Sequence, residues 1–158
     1  MSETISGFFA RLGYPLHNVR WSWGSESDRG SILLRTWSKD LDVKTKTVGV
    51  LGPSAQYRKL KSTGGVPERI RHVRALWAGG IAGYTVLVNA VDDNAEDSVI
   101  RDFRDDAVFA IERLRELPDG GIGAALGDLV RVTELRKHAE THRTHAANGR
   151  LQIDQGAI

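Results

Sequence analysis

Two runs of alternating side chains flank a polar turn between Asn18 and Trp37, NVRWSWGSESDRGSILLRTW, and this stretch restricts the possible folds more than any other. Residues two apart on a strand share a face, so Val19, Trp21 and Trp23 are expected on one side and Arg20 and Ser22 on the other. In the second run Ile32 and Leu34 face one way, while Leu33, Arg35 and Trp37 face the other. The join from Ser25 to Gly30 is rich in turn formers, so strands from about Asn18 to Gly24 and from Ser31 to Trp37 should pair as a hairpin. Large apolar side chains on both faces of the second strand require a sheet at least half covered on each side. The hairpin holds Trp21, Trp23 and Trp37 of the four tryptophans in the chain. Such a density marks a core, a binding pocket, or one face serving as both.

The rest of the chain supplies the covering. Ile5, Phe8, Phe9 and Leu12 recur at helical spacing before Gly13 and Pro15 end the run. Val43 to Leu51 reads as a third strand, and Ser54 to Lys61 as a short basic helix. Pro67 stands where a helix begins, with Ile70, Val73, Leu76 and Trp77 as its apolar stripe and Arg69, Arg71 and Arg74 off it. Tyr84 to Val91 is a strong, central strand. A helical turn is expected near Ser98 to Arg104, and Val108 to Leu117 supports a strand or a short helix. Pro118-Asp119-Gly120-Gly121 is a specific turn signal that closes a terminal hairpin with Ile122 to Val132. The order of elements predicts an α+β fold: a largely antiparallel curved sheet flanked by helices, in a single domain. Residues 1–134 form that domain, and 135–158 are expected as a polar tail, a frayed helix followed by disorder.

At 158 residues the chain can bury a core without covalent staples. It has no cysteine, which removes disulfides, thiolate zinc sites and cysteine nucleophiles, and it has no apolar run near the ~20 residues of a membrane span. A cytoplasmic protein with no membrane partner is expected. The net charge of +2 hides a polarised distribution. Lys44, Lys46, Arg58, Lys59, Lys61, Arg69, Arg71 and Arg74 are opposed within their segment by Glu68 alone, whereas seven acids crowd Asp92 to Asp106. The basic segment suits the phosphates of a polyanion, although two solvated faces of opposite sign would give the same pattern.

Other constellations carry less. Gly121, Gly123 and Gly127 do not have the spacing of a dinucleotide fingerprint. His138, His142 and His145 would share one helix face, but without the H-E-x-x-H pattern they promise at most adventitious metal affinity. Asp42-Val43-Lys44 fits the carboxylate-x-lysine element of a small metal-dependent nuclease, with Asp28 or Asp40 as a second ligand, and the tripeptide is common by chance. No cofactor and no catalytic residue is otherwise expected. Aromatic faces beside a basic surface stack bases or hold a flipped one, while core packing accounts for the tryptophans equally well.

The segments N-x-R-W-S-W-G (Asn18, Arg20, Trp21, Ser22, Trp23, Gly24), G-x-I-x-L-R-x-W (Gly30, Ile32, Leu34, Arg35, Trp37) and E-R-I-R-H-V (Glu68, Arg69, Arg71, His72, Val73) form a signature. It resembles the N-terminal, NEco-type domain of McrA-like modification-dependent restriction endonucleases, over about Leu12 to Glu134. The resemblance implies a defence-system reader of 5-methylcytosine or a related base in double-stranded DNA, its cleavage supplied by a fused or partner HNH nuclease module. The HNH motif itself has no counterpart in these residues. On this reading Asn18, Arg20, Trp21, Ser22, Trp23, Arg35 and Trp37 contact the base, and the eight cations from Lys44 to Arg74 hold phosphate. A small nuclease using Asp42 and Lys44, or a protein-interaction domain with core tryptophans, are the competing expectations.

Overall fold

The computed structural model describes residues 3–19, 22–53, 65–94 and 99–151. Within them an eight-stranded sheet is built from β1 (Gly24–Glu26), β2 (Ile32–Trp37), β3 (Leu41–Asp42), β4 (Thr47–Leu51), β5 (Gly83–Ala90), β6 (Ile100–Phe103), β7 (Ala107–Glu116) and β8 (Ile122–Arg131). Helices α1 (Ile5–Arg11), α2 (Gly65–Ala78) and α3 (Leu135–Thr141) flank it. The strand order is β1-β2-β5-β7-β8-β4-β3, with β6 also on β5. Every pairing is antiparallel except β2 with β5. The expected α+β class with a largely antiparallel sheet is therefore the observed one.

Local chemistry explains the element ends. Thr4 caps α1 by accepting from the Gly7 amide at 3.1 Å, and Gly13 at φ 90° lets the chain leave the helix. The β7–β8 hairpin closes at Gly120, φ 87°, while Asp119 accepts from the Gly121 amide at 2.8 Å.

Strand alternation then sends side chains to two cores. On one face Ile32, Leu34, Val48, Val50, Ile111, Leu114 and Ile122 pack against Ile70, Val73 and Leu76 of α2. On the other, Leu33, Tyr84, Val86, Val108 and Ala110 pack against Phe8 and Phe9 of α1 and Leu135 at the start of α3. Each buried aliphatic or aromatic side chain contributes roughly 1.5–3 kcal/mol, so α2 and α1 are both held by tertiary burial rather than by propensity.

Several boundaries differ from expectation for physical reasons. The first strand does not run from Asn18: the Ser22 amide donates to Asn18 O at 2.9 Å and Ser22 Oγ accepts from the Asn18 amide at 3.0 Å. Bonds between residues four apart close a loop, so the strand begins only at Gly24. The third strand begins at Thr47 rather than Val43, because Asp42 Oδ1 accepts from the Lys44 amide at 3.0 Å and Lys46 turns to φ 52°, so that residues 43–46 are the turn of a β3–β4 hairpin. Ile100 and Phe103 mimic helical spacing, yet they lie on a strand whose register against β5 shifts between Asn89 and Ala90. The basic helix expected at 54–61 lies outside the described residues.

In the tail, a helix stands at Leu135–Thr141, where one was expected, and the described chain continues to 151. After α3 the chain passes between β7 and the α2–β5 connection, where fully buried Thr144 accepts from the Gly83 amide at 3.0 Å and donates to Ile111 O at 2.8 Å. The Trp77 indole donates to Gly149 O at 3.1 Å. A polar segment became a strap because its polar groups found backbone partners.

Candidate nucleic-acid interface

The two distant parts of the signature dock on each other. Ser22, Trp23 and Gly24 each meet one residue of the first two turns of α2. Ser22 Oγ donates to Glu68 Oε2 at 3.1 Å. Trp23 O accepts from Arg69 Nη2 at 2.9 Å, and the Arg69 guanidinium lies 5.7 Å from the Trp23 ring centroid. At Gly24 a Cβ would stand 2.9 Å from Leu34 Cδ2 and 3.0 Å from Leu33 O, both on β2, and 3.3 Å from His72 Nδ1, so a side chain there would crowd β2 first and the helix after it.

Arg69 is the centre of this contact. Its Nη1 donates to Val50 O at 3.0 Å and its Nη2 to Arg35 O at 2.6 Å as well as to Trp23 O. Val50 belongs to β4 and Arg35 to β2, strands near opposite ends of the sheet order. One guanidinium thus joins the two ends where no backbone ladder does. Burial and the neighbouring Arg35 lower its pKa to about 9, and it stays charged at neutral pH. Arg69 is therefore not part of a phosphate-binding surface: it is 3% exposed, with its terminal nitrogens aimed at carbonyl oxygens. Spacing could have revealed this, since Arg69 stands three residues after Val66 and four before Val73, on the apolar stripe.

Around it are buried atoms without hydrogen-bond partners: Glu68 Oε1, Arg69 Nε and His72 Nδ1. His72 Nε2 lies 3.7 Å from Glu26 Oε1, but burial, with help from Arg69 and Arg71, lowers the His72 pKa to about 4. The imidazole is neutral at physiological pH.

A second aromatic–cation group lies farther along β2. The Arg35 guanidinium is 5.8 Å from the centroid of the half-buried Trp37 ring, and Lys39 Nζ is 6.0 Å from it. Burial lowers the Arg35 pKa. Among the described residues no carboxylate pairs with Arg35, so its donors face Trp37 without a counter-ion. Lys39 escaped the sequence reading, although it stands two residues beyond Trp37. Trp23, also half-buried, packs against the core on the α2 side. Arg35 bridges the two groups, because its amide donates to Trp23 O at 2.7 Å while its side chain covers Trp37.

Of the other expected contacts, Asn18 and Ser22 are joined in the loop already described, and Ser22 is buried rather than presented. Lys44, Lys46, Arg71 and Arg74 are exposed. Arg20, Trp21, Arg58, Lys59 and Lys61 lie outside the described residues. Asp42 is engaged in its turn by the Lys44 and Thr45 amides, and among the described residues no group of three metal-ligating side chains comes together. His138 and His142 lie 5.0 Å apart beside Tyr84, whereas α3 stops at Thr141 and leaves His145 beyond the helix. No helix among the described residues is long and apolar enough to cross a membrane.

No protein-family model, curated protein or solved structure matches the chain.

Proposed function

We propose that the protein is a non-catalytic DNA-binding module that recognises a modified cytosine, 5-methylcytosine or a related base, in duplex DNA. The observation that carries this reading is the Arg35–Trp37–Lys39 group, a half-buried indole beneath two cations, of which Arg35 has no carboxylate partner among the described residues. An indole face stacks on a base, and a guanidinium with free donors suits a phosphate or a guanine edge. Exposed Lys44, Lys46, Arg71 and Arg74 add a phosphate-neutralising surface. The choice of a modified cytosine rests on the resemblance of the signature to NEco-type domains, and an HNH nuclease module, fused or separate, would supply any cleavage.

Trp37 and Arg35 are assigned the base or its flanking phosphate. Trp23 supports them from the core side, and Glu68, Arg69 and His72 hold the hairpin in place. Gel shifts with otherwise identical duplexes carrying cytosine, 5-methylcytosine or 5-hydroxymethylcytosine test this reading. A modified duplex should bind more tightly than the plain one, and Trp37→Ala should abolish the difference. Equal binding to all three, or binding to none, overturns it.

A further inference from the structure

At the opposite end of β2 from Trp37 lies a cleft of about 870 Å³. Its walls are the end of α1, the β1–β2 turn, the α2–β5 connection and α3. Six residue steps along the strand, roughly 20 Å, separate Ser31 on its wall from Trp37. The floor includes Leu12, Ile81 and Leu135, and the rim carries Arg11, Arg29, Arg136 and Arg143 against the carboxylates Asp28 and Glu140.

The four guanidiniums differ in how far they are already engaged. Arg11 makes two bonds of 2.9 Å to Glu3. Arg29 reaches across to Glu140 only at 3.9 Å, with both side chains 58% exposed. Arg143 donates to the carbonyls of Ala139 and His142, at 3.0 and 2.6 Å, and to no carboxylate. Arg136 has no hydrogen-bond or ion-pair partner among the described residues. Among the described residues, two cations on one wall thus have no counter-ion, and a third, facing them, has a weak one. The turns that open the cleft are built for space: Gly13, Gly30 and Gly80 adopt φ of 90°, 85° and 83°, and nothing lies within 4 Å of a Cβ at any of them.

We propose that this cleft binds a phosphorylated small molecule up to the size of a mononucleotide, its phosphate held by Arg136, Arg143 and Arg29 and its body on the Leu12–Ile81–Leu135 floor. Pockets of ~300–1,000 Å³ take ligands of that size, and planar guanidinium forks suit phosphate oxygens in pairs. An apolar floor walled on several sides suits a compact ligand better than a continuous nucleic-acid strand.

The test is isothermal titration of the whole protein with inorganic phosphate, pyrophosphate, adenosine 5′-monophosphate and neutral adenosine, repeated on Arg136→Gln/Arg143→Gln and on Arg136→Glu alone. Saturable binding of a phosphate-bearing probe, absent for adenosine and weakened at least tenfold in both variants, is expected. Phosphate against the monophosphate separates recognition of the bare anion from recognition of a substituted one. The proposal is overturned if none of the phosphates binds, if adenosine binds equally well, or if folded variants bind as the parent does. It is also overturned if a plain duplex displaces the probe and loses affinity in the same variants, since the cleft would then be part of a DNA surface. Arg35→Ala, which removes the group carrying the DNA reading, should leave the titration unchanged, so the two proposals fail separately.

Discussion

Trp23 with Arg69 and Trp37 with Arg35 are the same pair of residue types at nearly the same separation, 5.7 and 5.8 Å, and they do opposite things. In the first, both terminal guanidinium nitrogens are engaged by backbone carbonyls and the remaining Nε is buried, so no donor is presented to a ligand. In the second, no such acceptor or carboxylate is present among the described residues; both indoles are half-buried, so the engaged donors and not the burial of the ring make the difference. Aromatic–arginine proximity is thus silent about function until the remaining donors are followed to their acceptors.

Mutation should separate the pairs. The largest effect is expected from Arg69→Leu, which takes the guanidinium donors from carbonyls on β4 and β2 and one of two donors from Trp23 O: a loss of ~3–5 kcal/mol in denaturant unfolding. Arg35→Ala should stay within ~1 kcal/mol of the parent by the same measurement, and equal losses for the two would erase the contrast. Next comes the pH response of the first pair's surroundings. The His72 pKa is lowered from 6.5 to about 4 in the folded protein, so the unfolded chain takes up the proton first. Stability should be complete above 6.5, fall as the pH drops to about 4, and level off below that. The loss is ~3 kcal/mol, and His72→Gln should flatten that part of the curve.

Smaller effects belong to the second pair. Trp37→Ala should weaken binding of a modified duplex by ~1–3 kcal/mol, with an unchanged unfolding midpoint locating the effect in binding. If the midpoint falls while affinity holds, Trp37 is a packing residue like Trp23. Lys44→Ala and Lys46→Ala should act least: each lowers the slope of log affinity against log salt by about 0.9 if that lysine neutralises one phosphate.

Much of the frame is legible in the residues. Gly83–Ala90, Ile122–Arg131 and the helix through Pro67 follow from period and punctuation, because burial and local propensity agree there. The hairpin turn and the β2 faces were also readable, since Leu33 lies opposite Ile32 and Leu34 as alternation demands. Elsewhere long-range bonding decides. Nothing local tells that Ser22 will close on Asn18, or that Thr144 will lie between Gly83 and Ile111. For the candidate site, the segments of the signature do meet in the fold, but the part expected of Arg69 does not fit its place. Arg69 was counted as surface because it is charged, although it occupies a core position of the helix. Arg29, Arg136 and Arg143 are spread over more than a hundred residues, and no local pattern unites them.

Strand β1 is three residues long and ladders only to β2, so backbone bonds alone would leave it prone to fray. Its anchorage comes from Glu68 and Arg69, which hold Ser22 and Trp23 just before it, and from His72 beside Gly24 and Glu26, so the strand is tied to the first half of α2. The two should therefore open to solvent as one cooperative unit, with amide exchange in that half of the helix tracking exchange at the Arg35 amide. Any ligand that shifts Arg35 to engage Trp37 also pulls on the carbonyl that Arg69 holds. Occupancy at the sheet surface would then be felt inside the helix as a change in protection, without any contact between ligand and helix.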